Sequence, residues 1–148
     1  MLARRVLTFI ILFFGLSHLA IAASNSPIGL WKTIDDSSNK PRSLVRINEN
    51  NGSYSGVVEK GLDAGDAPDK VCENCTDTRK NKPIIGMTIL QGMRQKGDIF
   101  EDGEILDPEN GKTYQCRLKL LEDGKKLEVR GFIGLMLLGR SQIWMREE

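Results

Sequence analysis

The sequence predicts an all-β protein built as an eight-stranded antiparallel up-and-down barrel. Eight short strand-like runs follow one another, and turn signals separate them without an amphipathic helix longer than about two turns. Hairpin connections between consecutive strands suit such a barrel, which leaves no exposed sheet edge. An open sandwich is the competing architecture. The eight runs are Gly29–Ile34, Ser43–Asn48, Ser53–Lys60, Pro83–Gln91, Asp98–Leu106, Lys112–Leu121, Lys125–Ile133 and Arg140–Arg146.

An N-terminal segment precedes the strands and predicts export. Residues 1–23 comprise a basic start with Arg4 and Arg5, an apolar run from Val6 to Leu16, and small residues up to Ala23. This is the order of regions in a secretory signal peptide, which is removed from the mature protein. We therefore expect a periplasmic or secreted protein with a single domain over residues 24–148. We expect no integral membrane segment after processing.

Charge and histidine content exclude several function classes. Loss of Arg4 and Arg5 lowers the number of Lys and Arg residues from 21 to 19, against 20 Asp and Glu, for a net charge of −1. A near-neutral chain lacks the concentrated basic surface of nucleic-acid-binding proteins. His18 is the single histidine, and its loss with the signal peptide excludes His-dependent catalysis and His-ligated metal sites. We therefore expect a non-enzymatic protein that needs no cofactor and no metal.

Turn chemistry and alternation mark the strands. Asn51-Gly52 and Asp123-Gly124 each join a residue tolerant of positive φ to a glycine, which is typical of tight hairpins. The run Lys112–Leu121 alternates most clearly, with Tyr114, Cys116, Leu118 and Leu120 on one face. One strand assignment is ambiguous, because the apolar side chains of 83–93 would also line a short helix. Two internal glycines, Gly86 and Gly92, favour a strand there.

Three cysteines remain in the mature chain. An exported protein meets an oxidising compartment, so the Cys72-x-x-Cys75 pair within a long polar segment predicts a structural disulfide. A redox-active thiol pair is the alternative, because this spacing permits a reversible bridge. Cys116 lies on an inward strand face, which predicts a buried free thiol, although a bridge from it to Cys72 or Cys75 stays open.

Motifs distributed over the mature chain carry a family resemblance. They are Gly29-Leu-Trp31-Lys-Thr33, Cys72-Glu-Asn-Cys75, Lys82-Pro-Ile-Ile-Gly86, Gly103-Glu-Ile-Leu-Asp-Pro108, Gly111-Lys-Thr-Tyr114, Leu127-Glu-Val-Arg-Gly131 and Leu138-Gly-Arg140 followed by Trp144. Together they resemble the exported bacterial family called domain of unknown function 2147. The resemblance extends from Gly29 to Arg146. It implies a lipocalin-like eight-stranded barrel in the periplasm, with no established activity.

The motif Gly29-Leu-Trp31 is also similar to the G-x-W that opens the first strand of lipocalins. The likeness implies that a basic residue of the last strand lies across this tryptophan, with Arg146 or Arg140 as the candidate. A guanidinium on an indole face would close the barrel floor through a cation–π contact. The role of these residues would be structural.

The barrel predicts a site for a small apolar or amphipathic ligand, such as a fatty acid or lipid-like molecule. Strand parity selects the side chains that point inward, and Tyr114 among them offers a hydroxyl to orient the ligand. A register error of one residue would invert any of these assignments. The predicted lining residues are Val45, Ile47, Tyr54, Phe100, Tyr114, Leu118 and Val129.

The connection Phe132–Gly139 is almost wholly apolar, whereas loops between hairpin strands are normally polar. One interpretation is a lid or a partner or membrane surface formed by Phe132, Leu135, Met136 and Leu137. The other is a plug at one end of the barrel. If the barrel is packed solid, the protein would instead be a structural or interaction module that acts through this connection, and a homodimer is one form it would take.

Overall fold

The protein forms a closed eight-stranded antiparallel barrel in a computed structural model that describes residues 25–63 and 67–148. The predicted signal peptide lies outside the described residues. Each strand pairs with its chain neighbours, and β8 returns to β1. This architecture confirms the predicted barrel, and the sandwich alternative is wrong. The strands are β1 Gly29–Ile34, β2 Pro41–Asn50, β3 Ser53–Gly61, β4 Thr88–Lys96, β5 Ile99–Asp107, β6 Lys112–Leu121, β7 Lys126–Phe132 and β8 Arg140–Arg146.

The fourth strand differs most from its prediction. The predicted run Pro83–Gln91 begins too early, because β4 starts only at Thr88. Before that point the chain turns at Gly86, which has φ +86° and donates its N–H to the Val58 carbonyl at 2.7 Å. A positive φ at this position interrupts the strand, and glycine is the residue that adopts it most readily. The helical alternative for this segment is wrong as well.

The hairpins at one end of the barrel follow the predicted turn chemistry. Asn51 and Gly52 join β2 to β3 with φ values of 51° and 77°. Both values are positive, as a two-residue hairpin turn matched to the strand twist requires. Asp123 and Gly124, between β6 and β7, also have positive φ. These short connections leave little chain at this end, which we call the closed end.

The closed end is sealed around Trp31. Its indole is fully buried and donates its N–H to the Pro27 carbonyl at 2.7 Å. The Arg146 guanidinium lies 4.2 Å from the ring centroid. It donates to the carbonyls of Ser26 at 2.7 Å, Gly124 at 2.5 Å and Ile28 at 2.8 Å. Arg146 therefore ties the N-terminal lead-in and the β6–β7 turn to the barrel floor.

The predicted alternative partner, Arg140, does not contact Trp31. Arg140 begins β8 at the other end of the barrel, where it forms an ion pair with Asp36. The two arginines are separated by nearly the length of one strand, so only Arg146 can reach the floor. Gly29 supports the same arrangement: a Cβ at its position would lie 2.4 Å from the Glu148 carbonyl oxygen.

Candidate functional site

The end opposite Trp31 is hollow. A cavity of about 270 Å³ lies between the upper parts of the strands. This volume is just below the roughly 300–1,000 Å³ of typical small-molecule sites. Its wall combines apolar side chains with polar groups, which suits a ligand whose apolar part is driven out of water. The apolar side chains that line it include those of Val58, Ile84, Ile89, Ile105, Val129 and Trp144.

Two of the seven predicted lining residues, Tyr114 and Val129, line this cavity. The other five point into the barrel but lie nearer the closed end, where side chains from different strands fill the interior. Tyr54 and Phe100, for example, meet edge to face with ring centroids 5.0 Å apart. The lining assignment is therefore wrong for these five core residues, which are Val45, Ile47, Tyr54, Phe100 and Leu118.

Neutral polar groups are set into the cavity wall, and most already have protein partners. The hydroxyls of Thr33 and Ser43 are 2.9 Å apart. The Trp144 indole N–H donates to the Gln142 side-chain oxygen at 3.2 Å. The predicted orienting hydroxyl, that of Tyr114, accepts a hydrogen bond from the Asn110 amide at 3.0 Å. The Tyr114 hydroxyl is the acceptor in this bond, so its O–H group can still donate one hydrogen bond to a ligand.

Charged side chains surround the cavity mouth in balanced numbers. The cavity is lined by the acids Asp35, Asp107 and Glu109 and by the bases Arg42, Lys70 and Arg140. The two arginines are already bound to carboxylates. Arg42 pairs with Glu109 and also lies 3.7 Å from Asp35 and 3.6 Å from Asp63, whereas Arg140 pairs with Asp36. A ligand carboxylate that approached Arg42 or Arg140 would therefore have to displace one of these ion pairs.

Two aspartates at the mouth have shifted pKa values in opposite directions. Hydrogen bonds from the side chains and backbone of Ser37 and Ser38 hold the pKa of Asp35 well below its usual range. Burial raises the pKa of Asp107, although the Asn110 side chain donates to it. Hydrogen bonding and burial thus act in opposite directions on these two carboxylates.

The long connection between β3 and β4 covers one side of the mouth. Ile84 and Lys70 of this connection line the cavity, and backbone hydrogen bonds at 2.9 Å join Ile84 to Lys70 and Cys72 to Lys82. The sequence predicted a polar segment from Gly61 to Lys82 and a strand over Pro83–Gln91, so the contribution of this connection to the cavity wall was missed. The isoleucine pair that follows Pro83 is the signal for it, because an exposed loop has no need of two such side chains.

The predicted disulfide anchors this connection. Cys72 and Cys75 are bridged, and both are almost completely buried. The Cys72 sulfur lies 3.5 Å from the Pro108 carbonyl oxygen, and the Asn74 amide donates to the Glu109 carbonyl at 2.5 Å. The bridged loop is therefore seated on the β5–β6 turn at the mouth. Exchange requires a thiolate to reach a sulfur atom, so this burial disfavours the redox interpretation.

The third cysteine is a free, buried thiol. Cys116 takes part in no disulfide, so the bridge to Cys72 or Cys75 that the sequence left open is absent. Burial raises the pKa of its thiol to about 12. A thiol that stays protonated at neutral pH is a poor nucleophile, and Cys116 serves as a core side chain.

The apolar connection of residues 132–139 is neither a lid nor a plug. None of the predicted lid residues, Phe132, Leu135, Met136 and Leu137, lines the cavity. The connection folds outward instead. Its short 3-10 turn, Met136–Leu138, is held against the outer barrel wall by Arg130, which donates to the Met136 carbonyl at 3.0 and 2.8 Å. Leu135 and Leu137 are mostly exposed.

The described residues contain neither a group of metal-binding side chains nor a membrane-spanning helix. Across residues 25–63 and 67–148, no three His, Cys, Asp or Glu side chains are grouped so that they could hold a metal ion. Over the same described ranges, no helix has the length and apolar character of a membrane span.

Comparison with solved structures identifies a protein of similar fold. The barrel is similar to protein HP1028 from the human pathogen Helicobacter pylori, which is described as belonging to the lipocalin family. The TM-score is 0.71 at 21% sequence identity, over 83% of this chain and 84% of that chain. At this identity the likeness shows a lipocalin-like fold. No match was found among curated proteins.

A protein-family model settles the family assignment that the motifs suggested. Residues 29–146 match the model described as an uncharacterized protein conserved in bacteria, DUF2147. The matched range begins at the first residue of β1 and ends at the last residue of β8, so it covers the complete barrel. This chain belongs to the bacterial family DUF2147, and its structure is a lipocalin-like barrel that is packed at one end and hollow at the other.

Proposed function

We propose that this protein is a non-enzymatic periplasmic carrier that binds one small apolar or amphipathic, lipid-derived ligand in the upper half of its barrel. The observation that carries the proposal is the cavity of about 270 Å³, whose wall contains several large apolar side chains. A ligand enclosed there gains about 25 cal/mol for each Å² of apolar surface removed from water. The lipocalin-like fold supports a binding role, and the signal-peptide pattern of residues 1–23 supports export.

The charged side chains at the cavity mouth indicate which head group the ligand would carry. A fatty acid would bring a carboxylate next to Asp35, Asp107 and Glu109, while Arg42 and Arg140 are already engaged. Burying an unpaired charge costs far more than burying a paired or neutral polar group. We therefore favour a lipid-like molecule with a hydroxyl, ester or amide head over a free fatty acid. Tyr114 would donate the orienting hydrogen bond.

Native mass spectrometry of the exported protein, followed by solvent extraction, tests this proposal. A retained adduct that solvent releases is the expected result, and it would also reveal the ligand class. The N-terminus of the same sample reports whether the chain is cut after Ala23. A bare mass from protein taken directly from its own periplasm, together with no uptake of apolar probes in solution, would contradict the carrier role.

A cavity-filling variant separates binding from folding. Gly131 lines the cavity, and a Cβ there would meet the Tyr114 Cβ at an ordinary contact distance of 3.4 Å. Gly131→Leu should therefore fold, occupy the cavity and abolish the adduct. Gln115→Leu, which adds a leucine on the exposed face of β6, is the matched control and should keep it. An adduct that survives in Gly131→Leu would place the ligand elsewhere.

A further inference from the structure

The strongest unexplained feature is an apolar tip on the outside of the barrel, formed by residues 133–138. Four of its side chains are exposed to solvent: Ile133 by 66%, Leu135 by 69%, Leu137 by 88% and Leu138 by 79%. Isolated exposed leucines are ordinary, but a contiguous group of large aliphatic side chains marks a contact surface. The tip contributes nothing to the cavity, so the proposed carrier function does not account for it.

The backbone of the tip is held rigidly. Arg130 on β7 donates to the Met136 carbonyl and, at 3.3 Å, to the Leu137 carbonyl. Arg117 on β6 places its guanidinium 3.4 Å from the Met136 sulfur. These contacts occupy the backbone of the 3-10 turn and leave its leucine side chains facing outward. The tip is therefore presented by the fold, and its exposure does not depend on a flexible loop.

The charge beneath the tip points to the chemistry of its partner. Arg117 and Arg130 are directly opposite each other on adjacent strands. Elsewhere on the described chain, arginines such as Arg42, Arg46 and Arg140 lie within ion-pair distance of carboxylates. Within residues 25–63 and 67–148, no carboxylate comes that close to Arg117 or Arg130. Like charges in opposed positions repel, so a partner that supplies negative charge here would be stabilised.

We propose that the apolar tip docks this protein onto a phospholipid surface. Its aliphatic side chains would enter the acyl boundary, while Arg117 and Arg130 would lie at the level of the lipid phosphates, which guanidinium groups bind well. An anionic head group adds attraction for each arginine near the surface. A second copy of the chain fits less well, because a twofold interface would bring two such arginine pairs together.

Docking through the tip would also bring the mouth of the barrel to the lipid surface. The tip belongs to the β7–β8 connection, and the residues that flank it, Gly131 and Arg140, line the cavity. A lipid-derived ligand would then have a short path between bilayer and barrel. Only this consequence rests on the proposed carrier function. Docking itself requires no ligand in the cavity, so an experiment can contradict the docking proposal without contradicting the carrier proposal, and the reverse also holds.

Co-sedimentation with phospholipid vesicles tests the docking. The mature protein is mixed with vesicles of phosphatidylcholine alone or with one third phosphatidylglycerol, at low salt. We expect binding to both, tighter with phosphatidylglycerol. Leu137→Ser should weaken binding about tenfold, because one exposed leucine loses its transfer into an apolar phase. Ile28→Ser is the matched control: Ile28 is an exposed aliphatic residue at the closed end, and its replacement should leave binding unchanged.

Three outcomes would overturn the proposal. The folded wild-type protein fails to sediment with either vesicle, or Leu137→Ser and Ile28→Ser weaken binding equally. The third is a dimer in sedimentation velocity that Leu137→Ser dissociates, which would assign the tip to self-association. Melting curves of both variants should match that of the wild type, since both side chains are exposed. Gly131→Leu should still bind vesicles, which distinguishes loss of docking from loss of the ligand cavity.

Discussion

The two ends of this barrel are built from the same eight strands and have opposite physical characters. At the closed end, short hairpins and the Trp31–Arg146 contact seal an interior that is filled by core side chains. At the open end, the strands surround a cavity of about 270 Å³, and long connections with charged side chains form its mouth. The difference teaches that the packed core and the cavity, which is the proposed binding site, are located in separate halves of one small fold.

This separation follows from side-chain size at each height of the barrel. Near the floor, large residues such as Trp31, Phe100 and Met93 point inward and fill the interior. Near the mouth, the inward positions include Thr33, Ser43 and Gly131, which are too small to meet across the barrel. An eight-stranded barrel has room either for packed side chains or for one small ligand. In this protein, packed side chains fill the half of the barrel near the floor, and a cavity occupies the half near the mouth.

The largest expected effect is loss of the floor. Trp31→Ala removes a fully buried indole, the cation–π contact and the anchor of the N-terminal lead-in, and should lower the free energy of unfolding by about 3–5 kcal/mol. Trp144→Ala is the matched change beside the cavity and should cost less, because it enlarges an existing space. Urea unfolding curves measure both. Equal losses of unfolding free energy in the two variants would contradict the proposed difference between the closed end and the open end.

The disulfide should stabilise the open end to a smaller degree. Cys72 and Cys75 close a loop with a sequence separation of only 3, for which the chain-entropy estimate is about 2 kcal/mol. The double variant Cys72→Ala/Cys75→Ala should lose about that amount in urea unfolding. Hydrogen–deuterium exchange should rise in residues 67–87 and stay slow around Trp31. Faster exchange spread evenly over the barrel would show that the bridge supports the whole fold.

Alkaline pH should weaken the protein through Cys116. The pKa of its thiol is about 12 in the fold against 9.0 without burial. A raised pKa contributes its full stability below 9.0, and that contribution is lost as the pH rises towards 12. The free energy of unfolding should thus fall by roughly 1 kcal/mol by pH 10, at 1.36 kcal/mol per pH unit. Cys116→Ala should flatten this slope; an unchanged slope would contradict the assignment.

The smallest expected loss of stability comes from a substitution at the cavity mouth. Arg140→Ala breaks an ion pair with Asp36 in which the arginine side chain is 62% exposed, and such pairs contribute less than about 1 kcal/mol. Arg146→Ala is the matched change at the floor and should cost clearly more, because Arg146 donates to backbone carbonyls of Ser26, Ile28 and Gly124. Thermal melting curves of both variants would test the order. A larger loss of stability in Arg140→Ala than in Arg146→Ala would contradict the predicted difference between mouth and floor.

Much of the fold was predictable from local patterns, because alternation and turn residues act over short stretches of chain. The hairpin at Asn51-Gly52 and the inward face of β6 both follow from their own residues. The start of β4 did not, because a hydrogen bond from Gly86 to Val58, on another strand, decides where the chain turns. The Cys72–Cys75 bridge was predictable from the spacing of the two cysteines and from the expected export of the chain.

The site was harder to predict than the barrel. Strand parity shows that Val45 and Tyr114 both point inward, but only the height of each residue decides that Val45 is packed and Tyr114 lines the cavity. Height depends on strand tilt and on which residues are opposite, and a single sequence does not contain either. Composition likewise could not show that the apolar connection folds outward, since that depends on contacts from Arg130 and Arg117.

The most direct test of the hollow open end uses Trp144 as a reporter. The chain has two tryptophans, so Trp31→Phe leaves Trp144, which lines the cavity, as the single indole. This variant is titrated with N-phenyl-1-naphthylamine, a small uncharged fluorescent probe, and energy transfer from Trp144 is recorded. We predict saturable energy transfer in this variant. The transfer should disappear in the double variant Trp31→Phe/Gly131→Leu and persist in the double variant Trp31→Phe/Gln115→Leu. Transfer that does not saturate, or that survives Gly131→Leu, would contradict the account.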